Sequence, residues 1–283
     1  MNAAPPARRR IVGRALRRYR DNLGHTLHDA AAVLECDPSK ISRIETGQRG
    51  IRVKELRELL TEYGIDDERQ AVLAAIADPR GARRRYGTYA DAVPGAWQDY
   101  LLLETAASQV SIYEAQRIPA LLQTPEYARA LAAADPDLGD EESRDKVVEA
   151  TLARQSAILG ERKPDIHLIV GEAALHQRIG SENVMKGQLG LLAGISGDSE
   201  VITVQVLPFT SGVHAAAAVA SLAILRFAEA PDLGAVHLGG AGGGLCLEEP
   251  DDLAAYARVF QDLRMSALSP AQSALMLQGL ATA

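Results

Sequence analysis

Asp37-Pro38-Ser39-Lys40-Ile41-Ser42-Arg43-Ile44-Glu45-Thr46-Gly47 reads as one short helix with a marked start and stop. Asp37 is suited to cap the first free N–H groups, and Pro38 to the first helical position, where its missing N–H would be orphaned anyway. Gly47 is placed to take the left-handed conformation just past the end. Ile41 and Ile44, three apart, point inward, whereas Ser39, Lys40, Ser42 and Arg43 point elsewhere. A helix of this length does not stand alone in water. Its small polar and cationic side chains lie on a face that no core claims, as a helix lying in a DNA major groove requires.

Helical patterns flank this stretch on both sides. Ile11 to Leu23 carries an apolar stripe of Ile11, Ala15, Leu16 and Tyr19, with Arg14, Arg17, Arg18 and Arg20 outside it, and Gly24 ends it. Thr26 and Asp29 form a capping-box pattern opening a second helix to about Leu34, and Glu35 and Cys36 make the turn that follows. Val53 to Tyr63 is a fourth helix stopped by Gly64, and Asp66 caps a fifth that reaches about Ala77. Five short helices, the second and third joined by a tight turn, resemble the lambda-repressor-like helix-turn-helix domain of the xenobiotic-response-element family. The residues that carry the resemblance are Thr26, Ala31, Ile41, Ser42, Arg43, Ile44, Glu45 and Gly47, and the run Ile-Ser-Arg-Ile-Glu-x-Gly is its most specific part. Glu35 departs from it, since the family often has glycine in that turn. A left-handed non-glycine residue costs on the order of 1 kcal/mol.

The resemblance implies that Ser39, Lys40, Ser42 and Arg43 face the groove of double-stranded DNA. Thr26 and His28 would approach the phosphate backbone from the start of the second helix, and Arg49 and Arg52 from the loop after the recognition helix. Lys40 and Arg43 have donors for guanine edges or phosphates. Arg43 has a second reading, as the partner of Glu45 or of another acid within the domain. Glu45, which a phosphate would repel, is read as structural.

With 283 residues, 47% hydrophobic and 24% charged, the chain can bury a sizeable core, most simply in two domains. Its net charge of −7 hides an asymmetry: residues 1–60 hold 13 Lys/Arg against 7 Asp/Glu, and the rest 17 against 30. A basic head on an acidic body points to an anionic partner for the head. Cys36 and Cys246 fit no metal spacing, no apolar leader follows Met1, and no apolar run approaches the roughly 20 residues of a membrane span, so a cytoplasmic protein is expected. Residues 1–10 are expected to be a disordered basic tail, solvated or reaching a minor groove. Residues 11–78 are the helix-turn-helix domain, 79–89 a basic linker containing Arg83-Arg84-Arg85, and 90–283 a larger α+β domain with a small mixed sheet.

In that second part, helices are expected at Trp97–Ala107, from Pro125, at Ser143–Leu159, at Glu182–Leu192, at Pro250–Ala267 and from Pro270. Strands are expected at 109–116, 166–170, 201–207, 219–227, 235–238 and 245–248. This order resembles a C-terminal domain of unknown function that follows helix-turn-helix modules in many actinobacterial regulators. The matching residues include Trp97, Tyr100, the Pro119-x-Leu121-Leu122-Gln123-Thr124-Pro125 core, Glu172-Ala173-Ala174-Leu175, Val204 through His214 and Gly243 through Pro250. The resemblance implies a transcriptional regulator, some relatives acting as antitoxins beside a small acidic partner protein. The glycine run 239–244 lacks the spacing and the following helix of a nucleotide loop. The scattered histidines have no ligand spacing, and no metal, cofactor or enzyme activity is expected. Phe209, His214, Gly243 and Gly244 are read as loops at one end of the sheet, either a surface for a partner or ligand or ordinary tight turns. One recognition helix reads only a few base pairs, so a homodimer on an inverted repeat is expected.

Overall fold

The computed structural model describes residues 5–78, 80–81, 95–240 and 244–282. Five helices open the chain: α1 (Ala7–Asn22), α2 (Leu27–Val33), α3 (Pro38–Glu45), α4 (Val53–Glu62) and α5 (Asp67–Ala77). The expected caps are in place. Thr26 and Asp29 form the capping box of α2, Asp37 accepts from Ser39 N at 2.8 Å to open α3, and Asp66 accepts from Arg69 N at 2.8 Å to open α5. Glu35 has φ 47°, so the turn between α2 and α3 is left-handed without glycine.

One expectation is overturned. Arg8, Arg9 and Arg10 belong to the first turns of α1 and not to a disordered tail. A helix start needs partners for its free N–H groups, and no side chain near Pro6 supplies one. The partner comes from the other half of the chain: Ala7 N donates to Asp99 Oδ2 at 2.6 Å. Local sequence holds no trace of that contact.

Helix α3 is seated on α1. A Cβ on Gly13 would lie 2.4 Å from Ile44 O and 2.6 Å from Glu45 O, so only glycine lets the two backbones approach this closely. Arg20 then grips Glu45 through two hydrogen bonds, Nε to Oε1 at 2.6 Å and Nη2 to Oε2 at 2.8 Å, with both residues buried. The two-pronged geometry is what makes a buried pair tolerable despite its desolvation.

Helix α6 (Gly95–Ala106) links the two units. From Asp99 to Ala106 every side chain is buried, because the helical unit packs on one side and the sheet on the other. Its acid Glu104, fully buried, is held by Arg154 Nε and Nη2 at 2.7 Å each and by Tyr100 Oη at 2.8 Å. The remaining helices are α7 (Pro125–Ala134), α8 (Glu141–Gln155), the short α9 (Glu172–His176), α10 (Glu182–Asp198), α11 (Pro250–Ser266) and α12 (Pro270–Thr282). The strands β1 (Gln109–Glu114), β2 (Asp165–Gly171), β3 (Ile202–Leu207), β4 (Ser221–Arg226), β5 (Gly234–Leu238) and β6 (Leu245–Leu247) form one sheet in the order β3-β2-β1-β4-β5-β6. The first three are mutually parallel and the last three antiparallel to their neighbours, the mixed sheet expected. Ile169, Ile224 and Val236 pack under Leu253, Phe260 and Leu263 of α11, while Ile112, Leu168 and Val204 face the core shared with α6, α10 and α12.

Two outcomes follow for stability. Glu35→Gly relieves a left-handed residue and should raise stability by about 0.5–1 kcal/mol, read as a higher denaturation midpoint. Gly13→Ala, a change that stabilises most helix interiors, should here cost about 1–3 kcal/mol because the methyl group meets carbonyl oxygens.

Candidate nucleic-acid interface

Ile41, Ile44 and Glu45 are buried, so the opposite side of α3 is turned outward by the helical period alone. Ser39 and Arg43 are exposed there, and Ser42 is half-buried. Arg43 has no carboxylate partner among the described residues, since Glu45 is taken by Arg20. This settles the two readings of Arg43 in favour of an outward cation.

Lys40 differs from the expectation. Its Nζ donates to Glu55 Oε1 at 2.7 Å, while Glu55 Oε2 accepts from Arg52 N at 3.4 Å. Lys40 therefore clips α3 to the start of α4 and holds its charge inside the domain. Partial burial pushes the Glu55 carboxyl up, and the hydrogen bonds from Lys40 and Arg52 outweigh it, leaving Glu55 below the usual carboxylate range.

The other sequence-predicted contacts flank α3. Thr26 is exposed, but its hydroxyl is engaged with Asp29 at 2.8 Å as the α2 cap. His28 is exposed in the first turn of α2. Arg49, whose N donates to Arg43 O at 2.9 Å, and Arg52, at the cap of α4, are exposed on the loop that leaves α3. Ser39, Ser42, Arg43, Arg49 and Arg52 thus belong to one continuous segment, exposed except at the half-buried Ser42 and framed by His28, with the Ser39 side chain hydrogen-bonded to Asp37.

The basic head is spent differently from what its charge suggested. Arg8 pairs with Asp99 at 3.2 Å. Arg10 pairs with Glu248, through Nη2 to Oε2 at 2.7 Å and a second contact from Nε. Arg14 donates to Glu248 O at 2.6 Å and Glu249 Oε2 at 3.2 Å. Arg18 and Arg69 both reach Asp232. Glu248 is nearly buried, and its hydrogen bond strengthens the hold of Arg10 on its proton, raising its pKa. Sequence reading missed this role because Asp99, Asp232 and Glu248 lie 91 to 238 positions away from their arginines.

At the end of the sheet where β1 to β3 finish, Phe209 is 64% exposed, stacked on His176 with ring centroids 6.2 Å apart, and its N donates to Glu172 Oε2 at 2.7 Å. His214 lies edge-on to Tyr113 at 6.0 Å, with a buried Nδ1 that has no hydrogen-bond partner. The two share an end of the sheet but no contact partner. Gly244, at φ 76°, would drive a Cβ to 2.2 Å from Leu238 O, so its glycine is explained by the bend into β6. Gly243 lies outside the described residues, as does Arg83-Arg84-Arg85 of the basic linker. Cys246 beside this bend has its thiol pushed up to about 12 by burial, which leaves it unreactive.

Among the described residues no group of His, Cys, Asp and Glu could hold a metal ion, and no helix is long and apolar enough to cross a membrane. Comparison with curated proteins and with solved structures returned no significant match. Two family descriptions do match. Residues 11–73 fit a helix-turn-helix domain, which supports DNA as a partner, and residues 97–279 fit a domain of unknown function, DUF5753. The second covers well over half of the sequence, and the chain belongs to the DUF5753 family, carrying a helix-turn-helix domain at its N-terminus.

Proposed function

We propose that the protein is a cytoplasmic, sequence-specific double-stranded DNA-binding regulator of the xenobiotic-response-element type, without enzyme activity. Its helix α3 enters the major groove. The observation that carries this reading is the division of α3 itself: Ile41, Ile44 and Glu45 are anchored, while Ser39 and Arg43 are exposed and Arg43 has no carboxylate partner among the described residues. Arg43 and the serines read bases, and Arg49 and Arg52 hold phosphates on the flank. Lys40 serves by orienting α3 through Glu55.

Two copies act together, because one α3 spans only a few base pairs and an inverted repeat needs two about 34 Å apart. Helix α12 supports this. No charged residue occurs from Met265 to Ala283, and Leu275 is 69% exposed on that helix. On an acidic body, an uncharged face is where two copies meet with least repulsion. The loops around Phe209 and His214 form the surface through which the C-terminal domain receives a signal or partner. In the rival reading the chain is antitoxin-like, holding a small acidic protein there and binding DNA for autoregulation; co-purification with the products of neighbouring genes separates the two.

Selection of duplexes from a random pool, followed by footprinting, tests DNA recognition directly. Arg43→Ala should cost about 1–3 kcal/mol on the selected site and relax its base preference. Arg52→Ala should weaken all duplexes alike and flatten the salt dependence. Selection that enriches no sequence, or an Arg43→Ala chain that remains folded with the wild-type site preference, would remove the groove assignment. Leu275→Asp should lower the sedimenting mass from dimer to monomer; an unchanged mass would place the dimer contact elsewhere.

A further inference from the structure

Helix α1 carries seven arginines, and six of them have a carboxylate within 4 Å: Arg8, Arg10, Arg14, Arg17, Arg18 and Arg20. Arg9 has none among the described residues. Its Nε is buried and lacks any hydrogen-bond partner. The residue is half-buried, and a buried donor left unmet is costly unless an acceptor completes it. The side chain lines a small cleft with Arg8, Val12, Ile44, Arg49 and Gly50, and no acidic residue contributes to its wall. Arg8 in that wall is already bound to Asp99. Arg49 is exposed and has no carboxylate partner among the described residues.

The cleft also has the right place. Ile44 belongs to α3, and Arg49 is tied to the end of α3 through its N–H to Arg43 O. The cleft therefore lies beside the C-terminal end of α3, where the exposed loop carrying Arg49 leaves it. Gly50 borders the Arg9 guanidinium: a Cβ there would sit in ordinary contact, 3.6 Å from Arg9 Nε and 3.9 Å from its Cζ. A planar guanidinium offers paired donors that match two oxygens of a phosphate, and a second arginine across the cleft adds charge without a competing acid.

We propose that Arg9, with Arg49 across Gly50, binds a phosphodiester group of the DNA backbone beside the groove occupied by α3. This site rests on the reading of the helix-turn-helix domain as DNA-binding, and adds to it a contact from α1. Arg9 supplies position and salt-dependent affinity and carries no base preference. Because α1 is docked on the C-terminal domain through Arg8, Arg10 and Arg14, the phosphate contact comes from a helix that this domain holds in place.

The test uses the full chain, the duplex enriched by the wild type and a scrambled duplex, with affinities measured over a salt series. Arg9→Ala should weaken both duplexes by the same factor, roughly fivefold, and reduce the slope of log K against log salt by about 0.9. Arg9→Lys, which keeps the charge and is gentler on α1, should recover most of the slope and only part of the affinity. A slope equal to wild type in a folded Arg9→Ala chain overturns the site. If Arg9→Ala does not fold, Arg9→Lys with wild-type affinity on both duplexes overturns it instead. A second arm measures melting with inorganic phosphate at constant ionic strength. Stabilisation that depends on Arg9, with an unchanged DNA slope, identifies a free-anion site and also overturns the proposal. If the wild type enriches no duplex at all, the DNA reading itself fails; loss of the Arg9 effect on a duplex that wild type does enrich fails the cleft alone.

Discussion

The contact on which the rest depends is the crossing of α1 over the end of α3. Gly13 leaves out the Cβ that would keep the two backbones apart, and the Arg20–Glu45 pair closes the crossing about two turns further along α1. A helix of eight residues has too few internal hydrogen bonds to be stable alone. Its orientation is therefore borrowed from α1, from the Lys40–Glu55 clip to α4 and from the capped turn before it. The outward face of α3 is a by-product of that anchoring: once Ile41, Ile44 and Glu45 are committed inward, Ser39 and Arg43 have nowhere else to point.

The same helix α1 is held from its other side. Asp99, Glu248 and Asp232 come from α6, from the segment after β6 and from the loop before β5, and each takes an arginine of α1. Carboxylates at three distant positions act as one patch only because the sheet and α6 bring them together. The two units share one apolar core through Tyr100, Leu101 and Leu103, so the arginine contacts decorate a packed interface instead of bridging a solvent gap. Movement of β6 or of the loop before it would reach α1 through Glu248, and α3 is the next element along. This is a continuous chain of contacts between the C-terminal domain and α3.

Charge shows how sequence-level electrostatics can mislead in detail while holding in sum. The basic surplus of residues 1–60 is real, but much of it faces the acidic body of the same chain. What remains outward is a smaller group around α3, with Arg43, Arg49 and Arg52 exposed and Arg9 at the cleft edge. A smaller uncompensated group is better suited to one register on DNA than a uniformly basic surface, which would bind any duplex.

By itself the sequence determined the elements whose causes are local. The caps Thr26, Asp37, Asp66 and Thr124, the prolines at first helical positions, the alternation of Ile202, Val204 and Val206 in β3 and the inward Ile41 and Ile44 all act within a turn or two, where neighbouring residues are the whole environment. That was enough for a five-helix head, a mixed six-stranded sheet and the identity of the outward face of α3. It marked Glu35 as the departure from glycine in the turn, and only the structure shows that the turn is left-handed there all the same. Only the tertiary structure decided what the arginines of α1 do, why α1 begins at Ala7, and why Lys40 is engaged while Arg43 is free. It also decided that α6 is buried all round and that Gly244 serves a bend. Each of these depends on a partner brought near by folding, and a charge or a glycine carries no mark in the chain of what it will meet.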